Sequence, residues 1–218
     1  MTELIAATAL FLLTHFVTST PLRPVLVKAL GEWPYRGLYS LVALAALAWM
    51  VRAYANAPHE PLWTGLRFLP VVTMPFAFLL LACGYWRNPT MVGADKLLKS
   101  DDPARGMIRV TRHPLMWALM LWAGAHAAAR GDLKSAIFFG GFFLLAGLGT
   151  LSIDARKKQN PEWARFAAAT SNLPFAAVAQ GRNRFEWREI GWLRPLIGLI
   201  LFAGFLAAHA SLFGVRPF

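Results

Sequence analysis

Hydrophobic residues are concentrated in six runs that are separated by more polar stretches. A helix needs about 20 apolar residues to cross the roughly 30 Å hydrocarbon core of a bilayer, and each run comes close to that length. The runs cover residues 3–20, 35–51, 66–86, 113–129, 133–153 and 190–213. Gly131 and Asp132 join the fourth and fifth runs so tightly that we expect an antiparallel helical hairpin. The pattern therefore predicts an all-α protein, one integral-membrane domain over residues 1–218 with a bundle of six transmembrane helices.

Two longer polar stretches, residues 87–112 and 154–189, contain scattered apolar residues and lack the Ser, Gly and Pro bias of a flexible linker. We expect them to form interfacial loops with short amphipathic helices. The first run has no basic segment before it, and its apolar stretch is longer than that of a secretory signal peptide. We therefore expect this run to be a membrane helix.

The composition agrees with a membrane protein and excludes several other classes. The chain is 57% hydrophobic and 15% charged, whereas average soluble domains are about a quarter charged. High hydrophobicity with low charge excludes intrinsic disorder. The single cysteine, Cys83, excludes an internal disulfide and a metal site built from several thiolates. The net charge is +11, and the basic residues that produce it lie between the apolar runs. We therefore expect these residues to bind anionic lipid headgroups rather than nucleic acid.

Basic residues are distributed unequally between the two sides of the predicted membrane. The stretches that follow the first, third and fifth runs, counted with Arg36 and Arg194 at the starts of the next runs, hold 17 of the 22 Lys and Arg residues. Lysine and arginine are enriched in cytoplasmic loops. These three stretches are therefore predicted to be cytoplasmic, and both termini are predicted to lie on the outer, periplasmic side.

Four histidines lie within or at the edges of apolar runs: His15, His113, His126 and His209. An ionisable group at such a depth indicates a functional site, although a neutral imidazole bonded to a neighbouring helix is the alternative. Haem iron accepts imidazole at both axial positions, and a helical bundle supplies dry walls. The set is therefore compatible with haem. By depth along their helices, His126 and His209 match best.

The segment Arg112-His113-Pro114 forms a cationic entrance to the fourth predicted helix, because proline suits the first helical turn. Such an entrance fits an anionic group, for example a cofactor carboxylate or phosphate. The alternative interpretation is an ordinary helix start beside lipid headgroups.

A set of short motifs spread along the chain carries a family resemblance. They are Thr111-Arg112-His113-Pro114-Leu115-Met116-Trp117-Ala118, Leu121-Trp122-Ala123 with His126, Gly131-Asp132, Asn172-Leu173-Pro174-Phe175, and Leu212-Phe213-Gly214-Val215 with Pro217. Together with His15, these motifs resemble the NnrU family of bacterial inner-membrane proteins. That family is associated with denitrification through nitrite and nitric oxide reduction, and the zeta-carotene isomerases of plants and cyanobacteria resemble it.

The resemblance implies a cofactor and its ligands. The related isomerases carry haem b, and their two axial histidines match His15 and His126 in this sequence. Their cysteine three positions before the second histidine is replaced by Ala123. The resemblance further implies an apolar polyene or a nitrogen-oxide-related substrate and a membrane redox partner. His126 with His209 stays open as the alternative ligand pair.

Two other functions fit the sequence. Arg112-His113-Pro114, followed later by Asp154, resembles the isoprenylcysteine carboxyl methyltransferases, which implies S-adenosylmethionine as the cofactor. In that case Arg112, His113 and Asp154 would hold the cofactor, and the other histidines would be incidental. The third interpretation is a non-catalytic maturation factor for a membrane reductase, which docks through its basic cytoplasmic loops.

Overall fold

The computed structural model describes residues 1–17, 20 and 22–217, which form ten α-helices and two 3-10 helices. The α-helices are α1 Thr2–Val17, α2 Leu22–Leu30, α3 Glu32–Asn56, α4 Leu69–Gly84, α5 Pro114–Arg130, α6 Leu133–Lys157, α7 Trp163–Ala169, α8 Ala176–Ala179, α9 Trp187–Ile190 and α10 Leu193–Phe213. The 3-10 helices are Asp95–Lys99 and Gly106–Arg109. The predicted all-α class is confirmed.

Each predicted apolar run corresponds to one long helix: α1, α3, α4, α5, α6 or α10. The predicted first run extends to residue 20, whereas α1 ends at Val17, and residues 18 and 19 lie outside the described residues. Helix α2 was not expected. Its sequence mixes arginine, proline and lysine with apolar residues, which gives no span-length run.

Within the described residues, three helices are long and apolar enough to cross a membrane: α3, α6 and α10, of 25, 25 and 21 residues. The number rises to four if α1 and α2 together form one bent span. Helices α1 and α4 have 16 residues each, which at 1.5 Å per residue gives about 24 Å. The six-span count therefore stays a prediction.

The long helices pack through two apolar cores. One core joins α1, α3, α5 and α6 through Leu4, Phe11, Met50 and Phe139. The other joins α4, α5 and α10 through side chains that include Met74, Ala77, Ala118, Ala125 and Phe202. Small residues at these interfaces let the helices approach closely, as is common in membrane bundles.

The predicted turn between α5 and α6 is present and anchors one end of the bundle. Gly131 ends α5 in the left-handed conformation at φ 65°, and Asp132 caps α6 by accepting the Ser135 N–H at 2.9 Å. The α3–α4 connection lies against this turn, because the N–H groups of Leu62 and Trp63 both donate to the Gly131 carbonyl. We call this end of the molecule the opposite face.

The two long polar stretches meet at the other end, which we call the basic face. Phe175 N–H donates to the Val110 carbonyl at 2.7 Å, and Arg112 N–H donates to the Ser171 carbonyl at 2.9 Å. Short helices form in both stretches, as expected, and Leu98, Ile108, Trp163 and Phe166 bury a small core between them. The structure therefore places the two most basic stretches at the same end of the bundle.

An ion-pair network also joins these stretches. Glu189 accepts from the Arg109 guanidinium at 2.8 and 2.9 Å and from the Gly106 N–H at 2.8 Å. Asp102 accepts a further bond from Arg109 at 2.6 Å. Hydrogen bonding to the Arg109 guanidinium lowers the pKa of Glu189 to about 2. Glu189 is therefore ionised at neutral pH and fixes α9 against the second 3-10 helix.

Candidate functional site

A cavity of about 800 Å³ lies between α4, α5 and α10, near the opposite face. This volume falls within the range of about 300–1,000 Å³ that is common for small-molecule sites. Apolar and aromatic side chains form most of its wall, among them Met74, Phe78, Trp122, Phe202, Phe205 and Leu206. The C-terminal tail, residues 214–217, completes the lining. The site therefore suits a large and mostly apolar molecule.

His126 lines this cavity from α5. Its Nδ1 lies 2.8 Å from the Trp122 carbonyl oxygen, one helical turn earlier. A carbonyl oxygen can only accept, so Nδ1 carries the proton and the neutral imidazole has its lone pair at Nε2. The ring also packs against Trp122 and Phe139, with centroids 5.5 and 5.4 Å apart. His126 is thus an oriented imidazole of the kind that ligates metals.

His209 lines the same cavity from α10. Its Nδ1 donates to the Val215 carbonyl at 2.7 Å, which again assigns the lone pair to Nε2. Its ring packs on Phe213 with centroids 5.0 Å apart. The structure therefore brings His126 and His209, the pair with matching depth, to one cavity. The C-terminal tail supplies the carbonyl that orients His209.

His15 lies elsewhere. Its Nδ1 donates to the Phe11 carbonyl at 2.7 Å, which repeats the arrangement of His126 and Trp122. His15 does not line the cavity, as far as the described residues define it. An aromatic chain connects the two regions: Phe11 contacts His15 and Phe142 at 4.3 and 5.2 Å between centroids, and Phe142 contacts Trp122 at 5.3 Å.

Ala123, the position that the resemblance pairs with a cysteine, is fully buried. It belongs to the core that α5 forms with α1, α3 and α6, and it is not among the described residues that line the cavity. Ala123 therefore serves helix packing in this chain.

Arg112 and His113 are held at the basic face by Asp154 of α6. Arg112 donates to Asp154 Oδ2 from Nε at 3.0 Å and from Nη2 at 2.9 Å, and His113 Nε2 lies 2.6 Å from Oδ1. Their side chains are 16%, 0% and 15% exposed for Arg112, His113 and Asp154 respectively. We call this set the Arg112–His113–Asp154 cluster.

The cluster is part of a rigid joint between α4, α5 and α6. Pro114 begins α5 and packs directly on Gly84, where an added Cβ would overlap the proline ring. Thr111 Oγ1 donates to the Asn172 carbonyl at 2.6 Å, and the Arg112 carbonyl accepts from Thr90 at 3.2 Å. Both carboxylate oxygens of Asp154 are occupied by these internal contacts. The cluster therefore links the start of α5 to α6.

Arg112 and His113 are also absent from the described lining of the large cavity. One buried atom of the cluster, His113 Nδ1, has no hydrogen-bond partner in the part of the chain that the structure describes. Arg112 and His113, which we expected to hold an anionic cofactor group, therefore lie apart from the cavity that His126 lines.

The cavity residues fit a haem group by their donor chemistry. An imidazole Nε2 and predominantly apolar walls are what an axially ligated porphyrin requires. Within residues 1–17, 20 and 22–217, the structure contains no group of three or more His, Cys, Asp or Glu residues that would hold a bare metal ion. A porphyrin iron needs only one or two protein ligands, so it fits the histidines that are present.

Three arginines at the edge of the cavity, Arg67, Arg130 and Arg216, were not singled out from the sequence. The distribution of basic residues along the chain could have drawn attention to them. They are three of the five basic residues that lie outside the three stretches predicted to be cytoplasmic.

Comparison with known proteins identifies the family. The family profile described as NnrU protein matches residues 3–217, which is nearly the whole chain. The chain belongs to the NnrU family. The chloroplastic 15-cis-zeta-carotene isomerase of Arabidopsis thaliana is 25% identical to it over 171 residues. That match covers 74% of this chain but 46% of the isomerase, so the chain spans less than half of that relative's length. No solved structure matches this NnrU-family chain.

Proposed function

We propose that this NnrU-family chain is a membrane haem protein in which His126 ligates the iron of haem b. The observation that carries the proposal is the placement of His126. Its Nδ1 is committed to the Trp122 carbonyl, and its imidazole lies on the wall of the cavity of about 800 Å³. A backbone carbonyl that accepts a hydrogen bond from the other ring nitrogen orients ligating histidines and raises their basicity.

For the second axial ligand, the cavity supports His209. Both imidazoles line the same space, and each has Nδ1 bound to a backbone carbonyl. The family resemblance supports His15 instead, which is not part of the described cavity lining. We therefore propose His126 and His209 as the resting pair.

The haem iron, when bound, supplies one-electron redox chemistry and an electrophilic centre. The chain would hold the ligating imidazoles in place and surround the haem with apolar side chains. The Trp122 and Val215 carbonyls fix the two imidazoles, and the Phe78, Phe202 and Phe205 rings give the cavity apolar walls. Such walls favour an apolar substrate. The curated relative is named as an isomerase of 15-cis-zeta-carotene, so we propose an apolar polyene as the substrate class.

The same proposal includes a role in nitrogen-oxide metabolism. The NnrU family is associated with that metabolism, and the proposed haem b would supply the redox chemistry that it needs. The proposed location is a bacterial inner membrane, with the basic face in the cytoplasm and both termini on the periplasmic side. The charge distribution supports this orientation, since 17 of 22 basic residues follow the first, third and fifth predicted runs.

Absorption spectroscopy of the purified protein tests the proposal. Protein from haem-replete cells should show a Soret band, and His126→Ala should remove it. His209→Ala should change the coordination of the iron while retaining haem, whereas His15→Ala should leave the spectrum of the parent. His59→Ala is the matched control, because His59 lines the same cavity but its side chain is 60% exposed.

Other outcomes would contradict the proposal and separate its alternatives. A His126→Ala protein with the parent spectrum would exclude His126 as the ligand. Colourless protein that binds S-adenosylmethionine, with binding lost in Asp154→Asn, would support a methyltransferase. Colourless protein that binds neither molecule would favour a maturation factor.

A further inference from the structure

The edge of the large cavity carries positive charge, and no carboxylate belongs to the described lining. Arg67 from the α3–α4 connection, Arg130 from the end of α5 and Arg216 from the C-terminal tail all line it. Among the described residues that line the cavity, none is Asp or Glu. The cavity has mostly apolar walls and three guanidinium groups on its lining. It therefore suits a ligand that has an apolar body and an anionic end.

These arginines stand out against the charge distribution of the whole chain. Most basic residues lie in the three stretches predicted to be cytoplasmic, and five lie outside them. Three of those five line this one cavity. By the positive-inside rule, loops on the outer side of the membrane carry few Lys and Arg residues. The rule therefore does not explain why three arginines of that side line one cavity.

The backbone holds two of the arginines close together. The Leu66 N–H donates to the Ala128 carbonyl at 3.0 Å, which fixes the residue before Arg67 against the last turn of α5. A Cβ added at Gly65 would overlap the Ala129 carbonyl, so the two segments touch through their backbones beside Arg130. The backbones beside Arg67 and Arg130 are therefore in contact, and an anion bound between the two side chains would offset the repulsion between their like charges.

One carboxylate lies near this edge, but it is committed to the fold. Asp132 is fully buried and caps α6 through Ser135. Its Oδ2 lies 3.7 Å from Arg130 Nε and 3.5 Å from His59 Nδ1, both beyond ordinary hydrogen-bond distance. Asp132 therefore moderates the charge of Arg130 and leaves Arg67 and Arg216 for a ligand.

We propose that Arg67, Arg130 and Arg216 bind the anionic end of an amphipathic occupant of this cavity, namely a carboxylate-bearing molecule with an apolar body. Guanidinium groups bind carboxylates through short, charge-assisted hydrogen bonds. The proposal shares its cavity with the proposed function but requires no iron ligation. It moves the anion site from Arg112 and His113 to the other end of the bundle. Its chemical source is either the propionates of a tetrapyrrole or the carboxylate of a lipid.

Metal-free protoporphyrin IX is the probe, because it has two carboxylates and no iron to ligate. Its binding to haem-free protein is measured by quenching of tryptophan fluorescence, to which Trp122 in the cavity wall contributes. We expect the dimethyl ester of the porphyrin to bind about tenfold more weakly. The double variant Arg67→Gln/Arg216→Gln should weaken the diacid by a similar factor and leave the ester unchanged.

Arg52→Gln is the matched control, since Arg52 is an exposed basic residue near the end of α3 that is not part of the described cavity lining. Competition with palmitate identifies the source: displacement of the porphyrin indicates a lipid carboxylate, and its absence indicates a tetrapyrrole. Equal affinities for diacid and ester in parent and double variant would overturn the proposal. In that same case, a haem spectrum of the purified protein that depends on His126 would leave the haem proposal intact. Arginine-dependent binding of the metal-free porphyrin by a protein that neither purifies with haem nor binds added haem through His126 would refute only iron ligation.

Discussion

Replacing Asp154 by Asn removes the charge that holds the start of α5 against α6. Asp154 accepts from Arg112 and contacts His113, and these two residues directly precede Pro114, which packs on Gly84 of α4. Asparagine has nearly the same shape as aspartate, so packing is retained while the ion pair and the hydrogen bond to the imidazole are weakened. We expect the joint between α4 and α5 to open more often in Asp154→Asn.

The size of the effect follows from burial. Removing one partner of a fully buried ion pair costs about 3–5 kcal/mol. Asp154 and Arg112 retain 15% and 16% exposure, so the lower end of that range, about 3 kcal/mol, applies here. At 1.36 kcal/mol for each factor of ten, the population of the open joint should rise about 150-fold.

The single cysteine provides the assay. Cys83 is 3% exposed and lies next to Gly84, so a thiol reagent reaches it only after the joint opens. Local opening equilibria of this kind determine the modification rate when closing is fast. The rate at which Cys83 reacts in detergent-solubilised protein should therefore rise about 150-fold in Asp154→Asn.

Asp95→Asn is the matched control, because Asp95 also pairs with a basic residue near the end of α6. Its carboxylate lies 2.7 Å from Lys157 Nζ but is 53% exposed. Exposed pairs contribute at most about 1 kcal/mol, which corresponds to about a fivefold change in rate. If Asp154→Asn reacts no faster than Asp95→Asn, the Arg112–His113–Asp154 cluster does not hold the joint and our assignment of its role is wrong.

Two further predictions concern the same end of the bundle. Gly84→Ala should lower the midpoint of thermal unfolding by an amount equivalent to about 1–3 kcal/mol, because its methyl group would overlap Pro114, whereas Gly140→Ala, with open space around it, should not. Unchanged stability in Gly84→Ala would contradict the close contact. The guanidinium that Glu189 binds lowers its pKa to about 2, so its stabilising contribution should be complete above about pH 4.3 and decline as the pH falls toward 2. Hydrogen exchange at the Gly106 N–H, corrected for intrinsic rates, should show this loss of protection, and loss already at pH 6 would refute it.

Local sequence patterns predicted the elements of the fold well. Long apolar runs and the Gly131-Asp132 turn depend on neighbouring residues, so the helical hairpin and the long helices could be expected. The joint at the basic face depends on contacts between distant residues. Arg112 and Asp154 are 42 positions apart; the methyltransferase resemblance named them together as cofactor-binding residues, but it did not predict that they pair with each other.

The candidate site was predicted in part. Of the pair that the family resemblance implies, His15 and His126, the described cavity lining contains His126 and lacks His15; it also contains His209, the alternative partner of matching depth. Depth alone could not show the role of the C-terminal tail, whose Val215 carbonyl orients His209 through a chain reversal. The arginines at the cavity were also missed, because three segments that are far apart in sequence bring them together.

Chemical rescue of a histidine variant tests the central claim most directly. His126→Gly removes the imidazole while leaving a space that free imidazole can enter, and the cavity walls remain. We predict that this variant purifies with little or no Soret absorption and that haem added together with imidazole restores the band of the parent. A His126→Gly protein that retains the parent spectrum without added imidazole would contradict the assignment of His126 as the haem ligand.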